Sequence, residues 1–327
     1  MGAKFLSEET AGNRASLCGR IDFVNMRIYF LAFICATVLV GQPTLRVDVE
    51  VTDKNQMLSG FQKEDFEVFD QNSKQQIVSF SQDSEPLDLV LVFDITSGLT
   101  KNVGKVLQGA HSALGELRQG DRVAVMSFSN KNRVVSAFTD DMTAVERTLE
   151  NDVLGKHSAF TKILPAIDEA ASLLAQEPAN RRRAVLVVTN NQGALSGSPD
   201  LVTRSLWEKN VLLNGLIVPA SISSRLLRAA PALVPGGSLV SVAMYGGTMS
   251  HTAERTGGDV RRAGADAGAA LQESIKRIRM RYSLVYTRPQ AKPGQQRSVE
   301  VKLSADARKR NPHAKVLART GYWIPKS

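Results

Sequence analysis

Residues 87–98 read LDLVLVFDITSG, and this stretch decides the fold. The nearly unbroken apolar run before Asp94 is typical of a strand that is buried on both faces of a parallel sheet. Asp94 ends the run and is followed closely by the hydroxyl residues Thr96 and Ser97. Because ligands of open α/β sheets bind beyond the carboxyl ends of the strands, we expect Asp94 to be a functional carboxylate.

Strand and helix patterns alternate along the chain after this run. The apolar runs RVAVMSF, RAVLVV and VLLNGLIV predict further strands, and NRVVSAFT predicts an antiparallel partner for the first of them at a sheet edge. Apolar residues spaced three or four positions apart predict helices over 101–118, 161–177, 199–209 and 267–281. We expect Gly120 to end the first of these helices and Ser198 to cap the third. The alternation predicts a Rossmann-like doubly wound α/β sheet.

Short strand patterns flank this α/β part on both sides. Residues 44–84 contain LRVDVEVTD, FEVFD and QQIVSFS, and residues 282–327 contain YSLVYTR, RSVEVKLSA and KVLARTGYWI. Each flank is too small to be stable alone. We therefore predict that the two flanks pair into one small β-sandwich, with the α/β domain, residues 85–281, inserted between them.

Residues 1–43 have the pattern of a leader. Met26 and an arginine precede an apolar stretch, residues 28–40, which is shorter than the roughly 20 residues that a membrane span needs. This pattern predicts a secretory signal peptide, with translation starting at Met26 or with residues 1–25 as an extended n-region, or else an uncleaved signal anchor that would attach the protein to a membrane. We expect an exported protein that is periplasmic, secreted or associated with the outer envelope. Cleavage would remove Cys18 and Cys35 and exclude disulfide chemistry.

The positive charge is concentrated at the carboxyl end of the chain. The formal net charge is +9, and residues 276–327 contain 14 lysines and arginines against the two acids Glu300 and Asp306. Such an excess indicates either a surface for anionic partners or a solvated, charged β-surface. No nucleic-acid motif or interleaved aromatic pattern accompanies it, so we expect no nucleic-acid partner.

Oxygen-bearing side chains occur at three places that should meet at the carboxyl edge of the sheet. They are the loop 94–98, with Asp94, Thr96 and Ser97, then Thr161 before a predicted helix, and Thr189, Asn190 and Asn191 after RAVLVV. Together they resemble the metal-ion-dependent adhesion site of von Willebrand factor A domains, which uses an Asp-x-Ser-x-Ser loop, a threonine and a second aspartate. The resemblance implies that Asp94 is the first aspartate, Thr96 the first serine and Thr161 the threonine, with Asn190 at the second aspartate.

The resemblance extends over residues 45–324. The segment VTDKNQMLSGFQKEDFEVFDQNSKQQIVSFS, the turn at 256–258 and the closing ARTGYW are similar to a bacterial exported subfamily, the von Willebrand factor A-related proteins common in acidobacteria. The family's metal site is degenerate here, because Gly98 replaces the second serine and Asn190 is neutral. Ser97 is a possible substitute ligand, one position out of phase. We expect no bound cation, or a weakly bound Mg²⁺ or Mn²⁺; alternatively, Asp94 and Asn190 only tie the loops together.

The resemblance implies a non-enzymatic protein-interaction or adhesion module of the cell envelope. An unknown protein partner would bind at the upper loops, which include residues 220–250. One alternative is a metal-dependent adhesion module with a functional Mg²⁺ site. Another is a haloacid-dehalogenase-like phosphatase with Asp94 as nucleophile. That enzyme needs a second acid where Thr96 stands, and residues 140–141 supply acids before the VVTN strand instead of after it.

Overall fold

A computed structural model of the chain describes residues 43–96, 100–153, 162–190, 197–218 and 249–324. The strands are β1 Thr44–Asp53, β2 Gln56–Met57, β3 Phe66–Asp70, β4 Ser73–Gln75, β5 Ile77–Gln82, β6 Leu87–Asp94, β7 Arg122–Phe128, β8 Asn132–Thr139, β9 Arg182–Thr189, β10 Leu212–Ile217, β11 Val260–Arg262, β12 Tyr282–Thr287, β13 Gln296–Leu303, β14 Lys315–Leu317 and β15 Gly321–Trp323. The helices are a 3₁₀ turn Lys63–Asp65, α1 Thr100–Leu107, α2 Ala110–Leu114, α3 Met142–Asn151, α4 Ile163–Ala175, α5 Pro199–Glu208, α6 residues 249–256, α7 Ala267–Arg279 and α8 Ala305–Arg310.

The predicted leader lies outside the described residues, apart from its last position. This applies to the possible start at Met26 and to the apolar stretch 28–40, and most of the loop over 220–250 is likewise outside. Within the described ranges, no helix combines the length and the apolar character that crossing a membrane requires.

The centre of the fold is a six-stranded sheet in the order β11-β10-β9-β6-β7-β8. All neighbours are parallel except β8, which pairs antiparallel with β7 at the edge. Every residue of β6 and β10 is buried, as a strand covered on both faces requires. One apolar core packs α1, α2, α3 and α7 against one face of the sheet, and a second packs α4, α5 and α6 against the other. The predicted doubly wound α/β fold is confirmed.

The chain reverses its direction of travel across this sheet between β6 and β9. From β6 the chain goes to β7 on one side, and it later returns to β9 on the other side. The carboxyl ends of β6 and β9 therefore border the crevice in which open α/β sheets bind ligands. Asp94 ends β6 and Thr189 ends β9.

The two flanks form a sandwich of two sheets. One sheet has the order β14-β1-β12-β5, with β2 beside β1, and the other has the order β15-β13-β3-β4. Both sheets combine strands from both flanks, because β1 pairs with β12 and β3 pairs with β13. A single apolar core fills the space between them. The α/β part is inserted where Gln82 of β5 pairs with Tyr282 of β12. The insertion between paired flanks is thus observed, while the exact domain bounds stay predictions.

The region predicted as one helix over 101–118 is helical, but it does not form a single helix. The chain forms α1 and α2 instead, and α2 already ends at Leu114, before Gly120. The break falls at Gly109, where a Cβ atom would lie only 2.3 Å from the Cα of Gly268 in α7. This close approach of two backbones excludes any side chain at Gly109. Ser198 does precede α5, with Pro199 at its first position, but its side chain makes no capping hydrogen bond.

Buried ion pairs join the sandwich to the central sheet. Glu50 of β1 accepts a hydrogen bond from Arg281 at 2.6 Å and also pairs with Arg277 of α7. Arg182 of β9 pairs with Asp48 at 3.0 Å. Arg277 and Arg281 are 5% and 1% exposed, so the interpretation of the carboxyl-terminal bases as a solvated surface is wrong for these residues.

The turn at 256–258 and the closing ARTGYW motif contact each other where the sandwich meets the α/β part. The backbone N–H of Thr320 donates to the carbonyl of Arg255 at 3.0 Å. Gly257 has φ +87°, and a Cβ atom there would lie 2.5 Å from the backbone nitrogen of Arg319. The buried guanidinium of Arg319 donates to the carbonyl of Trp207 in α5 at 3.1 Å. The motifs therefore fasten the last strand of the sandwich to the α/β part.

A buried carboxylate links the two sheets of the sandwich. Asp70 of β3 is 0% exposed and accepts hydrogen bonds from the hydroxyls of Tyr286 and Tyr322, each at 2.8 Å. Arg297 donates to its other oxygen at 2.8 Å. Burial raises the pKa of Tyr322 to about 12, and the hydrogen bond to the negative Asp70 raises it in the same direction.

Candidate functional site

Asp94 lies at the carboxyl end of β6, at the reversal point of the sheet. Its side chain is 0% exposed. Its Oδ1 accepts hydrogen bonds from the backbone N–H of Thr96 at 3.1 Å and from the Thr96 hydroxyl at 2.9 Å. Its Oδ2 accepts a hydrogen bond from the Thr189 hydroxyl at 2.7 Å. Both carboxylate oxygens are therefore hydrogen-bonded, as a buried charged group requires.

Thr189 and Asn190 bring the end of β9 to this carboxylate. In the sheet, Phe93 of β6 pairs with Val188 of β9, so the residues that follow them come out side by side. Asn190 is 7% exposed and directly follows Thr189. The structure thus places Asp94, Thr96 and Asn190 at one edge, as the sequence predicted. The bond from Thr189 was not predicted, although this hydroxyl stands next to Asn190 in the sequence.

Thr161 and Ser97 lie outside the described residues, as does Gly98, so their roles stay predictions. The predicted helix over 161–177 is observed as α4, Ile163–Ala175, with Lys162 at its N-cap position. The backbone N–H of Lys162 donates to the carbonyl of Ser129 at 3.0 Å. This bond ties the start of α4 to the end of β7, beside the crevice.

The oxygen atoms available as metal ligands at this edge are a poor set for a hard cation such as Mg²⁺. A hydroxyl that donates its proton to Asp94 keeps its lone pairs, so Thr96 and Thr189 could still act as neutral ligands. Mg²⁺ is usually anchored by one or two carboxylates, and here β6 ends in the acid Asp94 while the neutral Asn190 follows β9. Within that part, no group of three or more His, Cys, Asp and Glu could hold a metal ion. Asp94, Thr96 and Asn190 would be the protein ligands of a cation held here.

The geometry does not favour the phosphatase alternative. The residue two positions after Asp94 is Thr96, whose hydroxyl donates to that carboxylate. Asp141 is the N-cap of α3 and accepts a hydrogen bond from the backbone of Ala144 at 3.0 Å, so it acts at the start of a helix. Thr96 therefore supplies no second acid beside Asp94, and Asp141 is engaged at the start of α3, away from the pattern that the enzyme requires.

The family comparison agrees with the topology of the central sheet. The family model described as von Willebrand factor type A domain matches residues 89–192. This range contains most of β6 and all of β7, β8 and β9, and it includes Asp94 and Asn190 at the ends of β6 and β9. This part of the chain is therefore similar to von Willebrand factor A domains. No curated protein matches the chain.

Solved structures show limited likeness to the chain. An aerotolerance-related membrane protein from Bacteroides fragilis NCTC 9343 with multiple mutations to serines is 15% identical, with a TM-score of 0.43 over 59% of this chain and 98% of that one. BatB from Bacteroides thetaiotaomicron is 17% identical, with a TM-score of 0.42 and the same two coverages. Proximal thread matrix protein 1 from the mussel byssus, with a zinc-occupied MIDAS motif, is 14% identical, with a TM-score of 0.45 over 65% and 50%. At these values the likenesses do not bear on what this chain binds.

Proposed function

We propose that this chain is a non-enzymatic protein-interaction module of the von Willebrand factor A type, belonging to the exported, acidobacterial-type subfamily. A protein partner would bind at the carboxyl edge of the central sheet and its upper loops. The observation that carries the proposal is the position of Asp94 and the hydrogen bonds that its carboxylate accepts. This residue lies at the reversal point of the sheet, where a ligand is expected, and it is buried and accepts hydrogen bonds from Thr96 and Thr189.

Weak or absent cation binding follows from the charge at this edge. The family's second acid is Asn190 here, so of the two acid positions of the family site only Asp94 carries a charge. A carboxylate about 4 Å from a cation contributes about 4 kcal/mol per unit charge at the effective dielectric of a protein surface. Loss of one acid therefore removes several kcal/mol of attraction for a divalent ion.

Isothermal titration with Mg²⁺ and Mn²⁺ tests this part of the proposal. We expect the natural protein to bind either ion at millimolar concentration or not at all. The substitution Asn190→Asp restores the missing charge and should strengthen binding at least about tenfold. Asn180→Asp is the matched control, because Asn180 is exposed at the opposite end of the sheet, before β9. A micromolar dissociation constant for the natural protein would contradict the proposal and favour the metal-dependent adhesion module.

Capture of partners tests the interaction itself. Tagged protein is incubated with a cell-envelope extract, with and without EDTA. If recognition does not need a metal, the same partner is retained in both conditions, and Asp94→Ala leaves most of the binding intact. Loss of the partner with EDTA and with Asp94→Ala would support the metal-dependent alternative. Urea unfolding of the variant shows whether it still folds.

Export to the cell envelope is part of the same proposal. It rests on the leader pattern of residues 1–43 and on the apolar stretch 28–40. Amino-terminal sequencing of the exported protein distinguishes the possibilities. A start shortly after residue 40 indicates a cleaved signal peptide, whereas a membrane-bound protein that retains 28–40 indicates an anchor. A mature start before Ile28 in soluble, exported protein contradicts the signal-peptide interpretation.

A further inference from the structure

One edge of the sandwich is a strand without charged residues. β5 reads IVSFSQ and is the last strand of the sheet β14-β1-β12-β5. In the described part of the chain, its backbone hydrogen bonds go to β12 and to no other strand or loop. Val78 of this strand is 51% exposed. β5 therefore leaves a neutral, partly apolar edge open.

Each of the other sheet edges in the described ranges is protected. β2 has two residues, and β4, β11 and β14 have three each and contain a lysine or an arginine. β8 is longer, but it carries the exposed Arg133, and its pairing with β7 shifts at two places. β15 packs against α5, whose Arg204 lies 4.1 Å from the centre of the Trp323 ring. Natural sheets use short strands, charges, bulges and covering elements to prevent pairing between edges, and β5 lacks most of these.

The register of the sheet shows which residues of β5 bond to β12. The backbone N–H of Arg288, just after β12, donates to the carbonyl of Pro43 on the side of β1 at 2.8 Å. This direction alternates from residue to residue along a strand. The residues of β12 that lie opposite Ser79 and Ser81 therefore bond to β5, and these two serines are their hydrogen-bonded partners.

Phe80 and Gln82 alternate with these serines, so their backbone N–H and C=O groups face away from β12. A register shift lies at Val78, and residues 79–82 pair with β12 in register. The open edge thus consists of Phe80 and Gln82. Unpaired backbone groups in this arrangement are matched by another extended strand.

We propose that this edge pairs with β5 of a second copy of the chain, in antiparallel orientation. The arrangement that uses both outward residues of each copy pairs Phe80 with Gln82 of the second copy, and each such pair exchanges two backbone hydrogen bonds. It places the two copies of Ser81 directly opposite each other. Because β5 contains no charged residue, the pairing brings no like charges of the two strands together.

The pairing is self-limiting and independent of the partner site. Identical surfaces that meet in this way form a closed dimer with two-fold symmetry, whereas unlike surfaces can form open fibres. β5 belongs to the sandwich, so this inference goes beyond the proposed function and does not depend on it. The dimer would carry two of the proposed partner sites, which strengthens binding to a partner that has several copies of its epitope.

Sedimentation equilibrium of the exported protein tests the inference. We expect a concentration-dependent equilibrium between monomer and dimer, without larger species. Ser81→Lys should make the protein monomeric at concentrations at which the natural protein is dimeric, because two like charges would then lie directly opposite each other. Ser81→Glu should do the same, and an equimolar mixture of the two variants should form the dimer again. Ser298→Lys is the matched control and should still dimerise, because Ser298 is an exposed serine of β13, which lies inside its sheet.

Several results would overturn the inference. A natural protein that stays monomeric up to about 1 mM would leave the edge to a strand of another protein. Dimers that survive both Ser81 substitutions, or that Ser298→Lys dissociates equally, would place the contact elsewhere. A mixture of the two Ser81 variants that remains monomeric would show that the charges act on folding and not across an interface.

Hydrogen exchange gives a second measurement that needs no substitution. The amide protons of Phe80 and Gln82 should exchange more slowly as the concentration of the natural protein rises, because the dimer bonds them to the second copy. Exchange at these two amides that does not depend on concentration, in a sample that contains dimer, would show that β5 is not the contact.

Discussion

Replacing Glu50 with glutamine is the sharpest test of how the two parts of the molecule are joined. Glu50 is 1% exposed and compensates Arg281 and Arg277, which are almost fully buried. Burial lowers the pKa of Arg281, and the charge of Glu50 opposes that change. The amide keeps the shape of the side chain and removes its charge, so Arg281 loses its paired carboxylate and Arg277 keeps only the more distant Glu273, at 3.8 Å.

The expected cost is large relative to the total stability. Removing one partner of a buried ion pair destabilises proteins by about 3–5 kcal/mol, because the remaining charge is left uncompensated. The whole free energy of unfolding of a typical domain is about 5–15 kcal/mol. With a urea m-value of about 3 kcal/mol/M, the midpoint of unfolding should fall by about 1–1.7 M.

Urea unfolding followed by circular dichroism measures this change. The control is Glu300→Gln, which removes a half-exposed acid that pairs with Lys302 at 3.0 Å on the surface of the sandwich. Surface pairs of this kind contribute about 0–1 kcal/mol. If Glu50→Gln lowers the midpoint no more than Glu300→Gln does, the buried ion pairs do not hold the sandwich to the central sheet.

Two further predictions concern the contact between the 256–258 turn and the sandwich, and the sandwich core. Gly257→Ala should destabilise the protein by more than about 1 kcal/mol, because the residue has φ +87° and its new Cβ would lie 2.5 Å from the Arg319 nitrogen. Thermal unfolding measures this change, and Gly264→Ala is the control, because a Cβ atom at Gly264 would have no atom within 4 Å. Equal melting temperatures for the two variants would contradict the reasoning. Tyr322 has a folded pKa of about 12 against an ordinary value of 10.0, so its stabilisation is present below pH 10 and is lost as the pH rises through 12. The stability difference between the natural protein and Tyr322→Phe should therefore shrink above pH 10 in urea titrations, and a constant or growing difference would refute the role of the bond to Asp70.

The fold class could be predicted from the sequence because its signals are local. Long apolar runs such as residues 87–93 have few explanations other than strands that are covered on both faces. The alternation with helical spacing then predicts helices on those faces. The break at Gly109 could not be predicted, because the backbone that Gly109 approaches is that of Gly268, which is far away in the sequence.

The charged residues were the least predictable part of the chain. Arg277 and Arg281 have the appearance of exposed bases at the end of a helix, where positive charge is common. Their acid, Glu50, belongs to a strand on the other side of the inserted domain. No local pattern connects residues that pair only after the sandwich has closed.

The candidate site was predictable in position and less so in its contacts. Asp94 and Asn190 could be placed at one edge, because parallel strands end together. The bond from Thr189 to Asp94 could not be predicted, because an apolar run that is buried on both faces does not reveal which way its last side chain points. The roles of Thr161 and Ser97 stay predictions.

The insertion of the α/β part also determines when the sandwich can fold. Its sheets pair Gln82 with Tyr282 and Val68 with Val301, so no sandwich sheet is complete until nearly the whole chain has been synthesised. Contacts that are distant in sequence form slowly, because loop closure costs entropy before the contact is made. During synthesis β1 and β3 therefore lack their partners β12 and β13, while the strands between residues 87 and 262 can already pair with one another. This delay leaves both sandwich sheets incomplete until β12 and β13 have been made.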